Sequence, residues 1–261
     1  MKESYAVVTG ASQGLGKSFA EELAKKKHYL ILVSLPGQGL PELSLELENR
    51  YGVRVHYYET DLSIKENVLA LTAWINKEFS INILINNAGI GGTKRFEEAS
   101  CSYIEKIILL NVLATSLLTH QLLPNLQKSH KAYILNVSSL AAFSPIGYKT
   151  VYPASKAFVH SFSRGLYQEL KDTNVFVSVV NPGPMKTNEE VTRRIEKQGF
   201  LAKITLLDPN RVARYCIRRL EKRDTVIMVS HFSWLMLKIL PIWLKLPMLT
   251  KKIKTELQVV T

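Results

Sequence analysis

Tyr152 stands four positions ahead of Lys156 in "VYPASKAF", and a phenol beside an ammonium can hold and move a proton. On a helix, positions i and i+4 share a face, with Cβ atoms roughly 5–6 Å apart. Pro153 fits such a helix only in its first turn, where no intrahelical N–H is required. A phenol with an ordinary pKa near ~10 is a poor proton partner at neutral pH, and a nearby ammonium favours the phenolate. Spacing alone does not carry this reading. With 11 Tyr and 34 Lys plus Arg in 261 residues, chance supplies such pairs, and Tyr167 with Lys171 is a second one. Surroundings separate the two. Ser139 lies thirteen residues before Tyr152 at the end of an apolar run, whereas Ala154 holds that offset from Tyr167. Tyr167 and Lys171 are expected to form a solvated helix face.

Near the start, "VVTGASQGLGKSFA" places Gly10, Gly14 and Gly16 as G-x-x-x-G-x-G between a first apolar run and a first helical stretch. Glycines there let the backbone turn tightly and approach a pyrophosphate, whose charge suits the free N–H groups of a helix N-terminus. The plain alternative is a strand-to-helix turn. Its place at the first strand–helix junction favours the dinucleotide reading.

These residues need elements to hold them. Short β-branched runs predict strands at Tyr5–Val8, Tyr29–Val33, Val53–Tyr58, Ile81–Ile85, Ala132–Val137, Val175–Val180 and Val226–Val229. Stretches of helical spacing lie between them, such as Val68, Leu71, Ile75 and Phe79. Strands alternating with helices imply right-handed crossovers and a parallel sheet covered on both faces. We expect an α/β, Rossmann-type, doubly wound and mostly parallel seven-stranded sheet. It forms one domain, 1–261, in which 225–261 is a C-terminal strand followed by an apolar, basic tail.

The motifs occur in a fixed order: Thr9-Gly-x-x-x-Gly-x-Gly16, Asp61 after the third strand, "NNAG" at 86–89, Asn111, "NVSS" at 136–139, Tyr152-x-x-x-Lys156 and "NPGPMKT" at 181–187. Together they resemble the short-chain dehydrogenase/reductase family, loosely its hydroxysteroid and long-chain 3-oxoacyl reductase branch. The resemblance implies hydride transfer between a nicotinamide and a carbonyl or alcohol, with Tyr152 as acid/base and Lys156 lowering its pKa and holding the ribose. It makes Ser139 the group that orients the substrate oxygen as charge develops there. Ser138 is the rival, one position off and facing the other way, and either serine could instead cap nearby backbone. It gives Asn111 a water linking Lys156 to solvent, where the plain reading is a satisfied buried amide.

The same resemblance assigns the cofactor to Thr9, Gly10, Ser12, Gln13, Gly14, Leu15 and Gly16, to Asp61 and Leu62 at the adenine, and to Asn87, Ala88 and Gly89 beside the adenosine. Tyr152 and Lys156 reach the ribose, and Pro182, Gly183 and Thr187 frame the nicotinamide amide; a Pro-Gly turn is the plain alternative there. An acid after the second strand would bind a ribose 2′-OH, and an Arg would accommodate a 2′-phosphate. Ser34 and Leu35 stand there instead, with Lys17 a further cationic contact. We expect NADP(H), with NAD(H) left open. Segments 99–129 and 151–172 are the family's dimer surfaces, so a homodimer or homotetramer is implied. A catalytically silent NAD(P)-binding sensor or scaffold is the rival class.

Composition narrows the field. Apolar content of 46% with 21% charged suits a soluble globular protein, and the resemblance implies a small-molecule carbonyl or alcohol as its substrate. Cys101 and Cys216 lie far apart without ligand spacing, so we expect no metal site and a reducing, cytoplasmic setting. The fold pattern begins at Ser4, so no secretory leader is expected. Of the net charge of +12, the stretch from Arg211 onward carries 11 Lys and Arg against three acids, or +8. It lacks the interleaved aromatics of a nucleic-acid module, and no nucleic-acid partner is expected. Within 225–255 the longest uncharged run, Thr225–Leu237, is short of the ~20 residues a spanning helix needs. Three readings of this tail stand. The favoured one is a strand at Thr225–Ser230 and a helix packed on the core or a second subunit. The others are a peripheral membrane surface carrying Trp234, Leu235, Ile239, Trp243 and Leu246, and a flap over a large apolar substrate aided by 188–205.

Overall fold

The β-branched runs assemble into one seven-stranded sheet in the order β3-β2-β1-β4-β5-β6-β7, every neighbouring pair parallel. The computed structural model describes residues 3–185, 206–230, 234–235 and 239–258. Its strands are β1 (Tyr5–Thr9), β2 (Tyr29–Ser34), β3 (Val55–Glu59), β4 (Ile81–Asn86), β5 (Ala132–Val137), β6 (Val175–Asn181) and β7 (Val226–Met228). Five of them run one residue past the predicted run, into Thr9, Ser34, Glu59, Asn86 and Asn181, and β3 starts two residues later than expected. Those polar ends share the carboxyl edge of the sheet. β1 lies between β2 and β4, so the strand order reverses there, and that crevice is where α/β sheets bind ligands.

The helices are α1 (Gly14–Lys25), α2 (Leu40–Tyr51), α3 (Lys65–Glu78), α4 (Cys101–Ile108), α5 (Thr115–Gln127), α6 (Val151–Leu170), α7 (Pro209–Glu221) and α8 (Ile242–Gln258). They cover both faces of the sheet. Phe19, Leu23, Leu43, Leu47 and Ile217 bury one face with α1, α2 and α7, while Leu71, Ile75, Leu118, Leu122 and Leu170 bury the other with α3, α5 and α6. The expected segment 99–129 is not one α-helix: a π-helical turn, Leu109–Ala114, joins α4 to α5. Cys101–Gln127 is long and apolar enough to cross a membrane, yet Leu118, Leu122 and Leu126 are buried against the sheet.

The inner face of α8 packs on the connection between Ser139 and Tyr152. Lys245, 8% exposed, donates from Nζ to the Phe143 carbonyl at 3.1 Å. Thr250 Oγ1 accepts from the Gly147 N–H at 3.0 Å, and Ile253 is buried. Gly147 is required by this contact, because a Cβ there would stand 2.6 Å from Thr250 Cγ2.

Candidate active site

The carboxyl ends of β1, β4 and β5 meet the amino ends of α1 and α6, and the site is built in two halves. In the first half the backbone does the work. Gly10 and Gly14 adopt φ of +64° and +55°, and a Cβ on Gly16 would fall 1.9 Å from the Gly10 carbonyl oxygen, so the loop closes only with glycine. Gln13 precedes α1 in extended conformation without a side-chain cap, Leu15 is buried, and no acid occupies the first turn of this described helix. Its N–H groups are thus open to an anion. Thr9 is buried and turned inward: its Oγ1 accepts from Asn87 N and Ala88 N, each at 3.0 Å. Asn87 Nδ2 returns bonds to the carbonyls of Thr9 (2.9 Å) and Gly10 (3.2 Å). Thr9 and Asn87 therefore staple the "NNAG" turn to the glycine loop.

Around the adenosine end, Asp61 Oδ1 accepts from the Ser63 N–H at 2.8 Å and its hydroxyl at 2.6 Å. Burial pushes the Asp61 carboxyl up, but the two Ser63 bonds and the Lys106 charge outweigh it and hold the group below the usual range. Leu62 is buried beside it. Ser34 is buried and donates to the Leu35 carbonyl at 3.1 Å. The loop after β2 is held from two sides: Ser12 Oγ donates to Gln38 Oε1 at 2.9 Å, and the Gly37 N–H donates to Glu59 Oε1 at 3.0 Å. Glu59 closes β3 opposite Ser34 in the register. An acid does reach this loop, from the neighbouring strand, where a search along β2 alone could not find it.

The second half is made of side chains. Lys156 is buried and donates from Nζ to the Val137 carbonyl at 2.9 Å, with the nitrogen 6.0 Å from the centre of the Tyr152 ring. Burial draws its pKa down from 10.5 to about 8. The Tyr152 phenol moves the opposite way from the expectation of a lysine-depressed value. Burial raises it, and the facing Ser139 hydroxyl only partly opposes that. Two close approaches make room for the pair: a Cβ on Gly89 would lie 3.1 Å from Lys156 Nζ, and one on Gly91 would lie 3.1 Å from Tyr152 Cδ2.

The two serines separate as their alternation predicts. Ser138 is buried and donates to the Lys156 carbonyl at 2.7 Å, anchoring α6. Ser139 faces Tyr152, and its Oγ also accepts from the Ala141 N–H at 3.1 Å. Asn111 sits inside the π-helical turn, and its amide is fully engaged. Oδ1 accepts from Ile90 N at 2.9 Å, and Nδ2 donates to the Ile90 carbonyl at 2.8 Å and to Ser155 Oγ at 2.9 Å. Ser155 passes the link on to the Tyr152 carbonyl at 2.7 Å. Motif reading missed Ser155, although the Ser-Lys dipeptide inside the Tyr-x-x-x-Lys frame marks it.

Pro182 is buried and Gly183 half-buried at the end of β6, where the Pro182 carbonyl accepts from Leu140 N at 2.9 Å. Thr187 and the proposed flap 188–205 lie outside the described residues; on either side of them Met185 and Leu207 meet in a parallel bridge. Tyr167 and Lys171 stay apart from the site. Tyr167 packs edge-on against Phe176 at the start of β6, and Lys171 is exposed.

The family described as short chain dehydrogenase matches residues 4–198. The very-long-chain 3-oxoacyl-CoA reductase of Anas platyrhynchos is 34% identical over 183 residues, 69% of this chain, so the match spans only 59% of that reductase's length. The 3-oxoacyl-[acyl-carrier-protein] reductase of Aquifex aeolicus is 31% identical over 199 residues, 74% of this chain and 80% of the other. Among solved structures, a short-chain dehydrogenase from Sphingobium yanoikuyae in complex with NADPH superposes with a TM-score of 0.79 at 28% identity, covering 90% of this chain and 92% of that one.

Proposed function

This chain belongs to the short-chain dehydrogenase family, and on that footing we propose that it transfers a hydride between NADP(H) and a ketone or secondary alcohol, on a fairly large apolar substrate. The observation that carries the reading is the convergence of Tyr152, Lys156 and Ser139 beside a glycine-built anion cradle. When bound, the nicotinamide supplies or accepts the hydride at the substrate carbon. Tyr152 gives the carbonyl oxygen its proton, or removes it in the reverse direction, and its raised pKa keeps that proton in place until the oxygen arrives. Ser139 donates to the same oxygen as negative charge develops. Lys156 holds the ribose and places positive charge by the phenol, which favours the phenolate once the proton has left. With the Asn111 amide consumed by Ile90 and Ser155, its part in the relay is to fix the chain around Lys156 and Tyr152, in place of holding the water through its side chain.

NADP(H) is supported by the NADPH held in the Sphingobium yanoikuyae relative, while the Ser34 hydroxyl expected at the 2′-position is turned to the Leu35 carbonyl. Glu59 works against it, because its carboxylate approaches the loop that would meet a 2′-phosphate. Glu59→Gln is therefore expected to raise the ratio of NADPH to NADH efficiency several-fold, about 1 kcal/mol of relieved repulsion between charges in a watery site. A ratio that stays put, or moves toward NADH, sinks the role given to Glu59. A homodimer or homotetramer through α4–α5 and α6 is supported by the exposed Ile108 and Phe158, and a cytoplasmic setting completes the reading. The deciding experiment is a panel of ketones, steroids and 3-oxoacyl thioesters with NADPH and NADH, followed by absorbance loss. Turnover with a bulky ketone and NADPH is expected. Cofactor binding without turnover on any of them would favour the sensor or scaffold.

A further inference from the structure

We propose that the outward face of α8 docks on an anionic lipid surface, so that the wall of the substrate site rides on the membrane. The inner face of α8 is committed to the protein through Lys245, Thr250 and Ile253. Among the described residues the outer face has no such cover: Trp243 is 73% exposed and Met248 52%, with Ile242 and Leu244 also open to solvent, and Ile239, 68% exposed, stands just before the helix. One turn further along, the same outward side carries the exposed Lys251 and Lys254. An indole at the edge of an apolar stripe, followed by lysines, is the composition of a helix lying in a bilayer interface.

Charge selects the occupant. Helix α8 itself carries Lys245, Lys251, Lys252 and Lys254 against Glu256, so two copies meeting here would bring like charges together, whereas anionic headgroups would complement them. At 17 residues and interrupted by Lys245 and Pro247, α8 is too short and too charged to span. It lies on the surface. The Lys245–Phe143 and Thr250–Gly147 bonds tie it to the connection between Ser139 and Tyr152. An apolar substrate dissolved in lipid would thus meet the site from the bilayer side. That last consequence rests on the proposed reaction; the docking itself does not.

The test uses the full chain with phosphatidylcholine vesicles, with and without phosphatidylglycerol. Cosedimentation is expected to be roughly tenfold tighter with phosphatidylglycerol, and to weaken as salt is raised. Brominated lipid should quench tryptophan emission, and Trp243→Phe should remove most of the quenching while leaving sedimentation in place. Trp243→Glu should weaken binding about tenfold or more, and Lys254→Glu should reduce the phosphatidylglycerol preference. Turnover of a water-soluble ketone by Trp243→Glu reports that the fold is intact. Absence of sedimentation with either vesicle overturns the proposal, as does binding indifferent to Trp243→Glu. A Trp243→Glu protein that drops to a smaller oligomer in light scattering, with no vesicle effect, would make the face a contact between copies instead. If no ketone is turned over but the vesicle results hold, the reaction fails and the docking surface stands.

Discussion

Helix α6 carries the Tyr-x-x-x-Lys spacing twice, and only one copy can do chemistry. Tyr152 and Lys156 occupy its first turns, next to the carboxyl end of β5, where Lys156 Nζ reaches the Val137 carbonyl at 2.9 Å. Tyr167 lies in its last turn and Lys171 is the residue that caps it, beside the amino end of β6, where Tyr167 meets Phe176 edge-on with ring centres 5.6 Å apart. The helix runs antiparallel to the strands, so its two ends lie at opposite edges of the sheet. One edge has the open N-terminus of α1 and the strand-end polar residues; the other has hydrocarbon and solvent. Spacing makes a pair geometrically competent, and the sheet edge decides whether it meets a cofactor.

The largest break in that symmetry should come from removing each phenol oxygen in turn. Tyr152→Phe is expected to lower kcat by about 10²–10⁴-fold, the usual weight of a positioned general acid, while cofactor binding by fluorescence titration stays near that of the wild type. Tyr167→Phe should leave kcat within about twofold, as a substitution away from the site does. Near-full turnover by Tyr152→Phe on a verified ketone would erase the distinction between the two pairs.

The adjacent serines sharpen the comparison on a smaller scale, because one serves the chemistry and the other serves the helix. Ser139→Ala should cost turnover up to about 10²-fold, the order expected for losing one donor to a developing oxyanion, with little change in melting temperature. Ser138→Ala should do the reverse. It removes the 2.7 Å bond to the Lys156 carbonyl and should cost about 1 kcal/mol of stability, seen as a lowered urea midpoint with modest kinetic loss. If Ser138→Ala proved the slower enzyme, the strand-end alternation would have been assigned in the wrong phase.

How much of this could be read from the chain follows from range. Gly10, Gly16, Tyr152 and Lys156 are legible because each sits in a local pattern whose geometry is set by its neighbours. The polar strand ends were not, since apolar alternation stops at Val8, Val33, Ile85 and Val180, one residue before pairing does. The π-turn at Leu109–Ala114 is invisible in a uniformly apolar helix, where i+4 and i+5 bonding draw on the same residues. The Thr9–Asn87 staple, the approach of Glu59 to Gly37 and the clamp of Thr250 on Gly147 all join residues far apart in sequence. None has a spacing to recognise. Lys245 is the sharpest case: a lysine in an apolar tail reads as solvated or lipid-facing, and its bond to the Phe143 carbonyl reverses that.

The two lysines give the subtlest contrast, because their difference is electrostatic and titrates. Burial holds Lys156 at about 8, below its ordinary 10.5, so its ammonium is present at neutral pH and lost as pH rises through about 8. If that ammonium grips the cofactor, affinity should be greatest below pH 8 and fall several-fold above it. Lys156→Met should bind more weakly at neutral pH and show no inflection there, whereas Lys171→Met should keep both the affinity and the inflection. Stability carries the opposite sign. The folded state holds the lysine proton less tightly than the unfolded chain, so the contribution of Lys156 to stability increases with pH between about 8 and 10.5. Below pH 8 the buried charge is a standing cost, partly offset by the bond to Val137. Lys156→Met should therefore gain melting temperature relative to the wild type at neutral pH, and that gain should shrink towards pH 10.5. A wild-type enzyme whose cofactor affinity is flat from pH 7 to 9 would place the ammonium out of reach of the cofactor and leave α6 with two structural pairs in place of one.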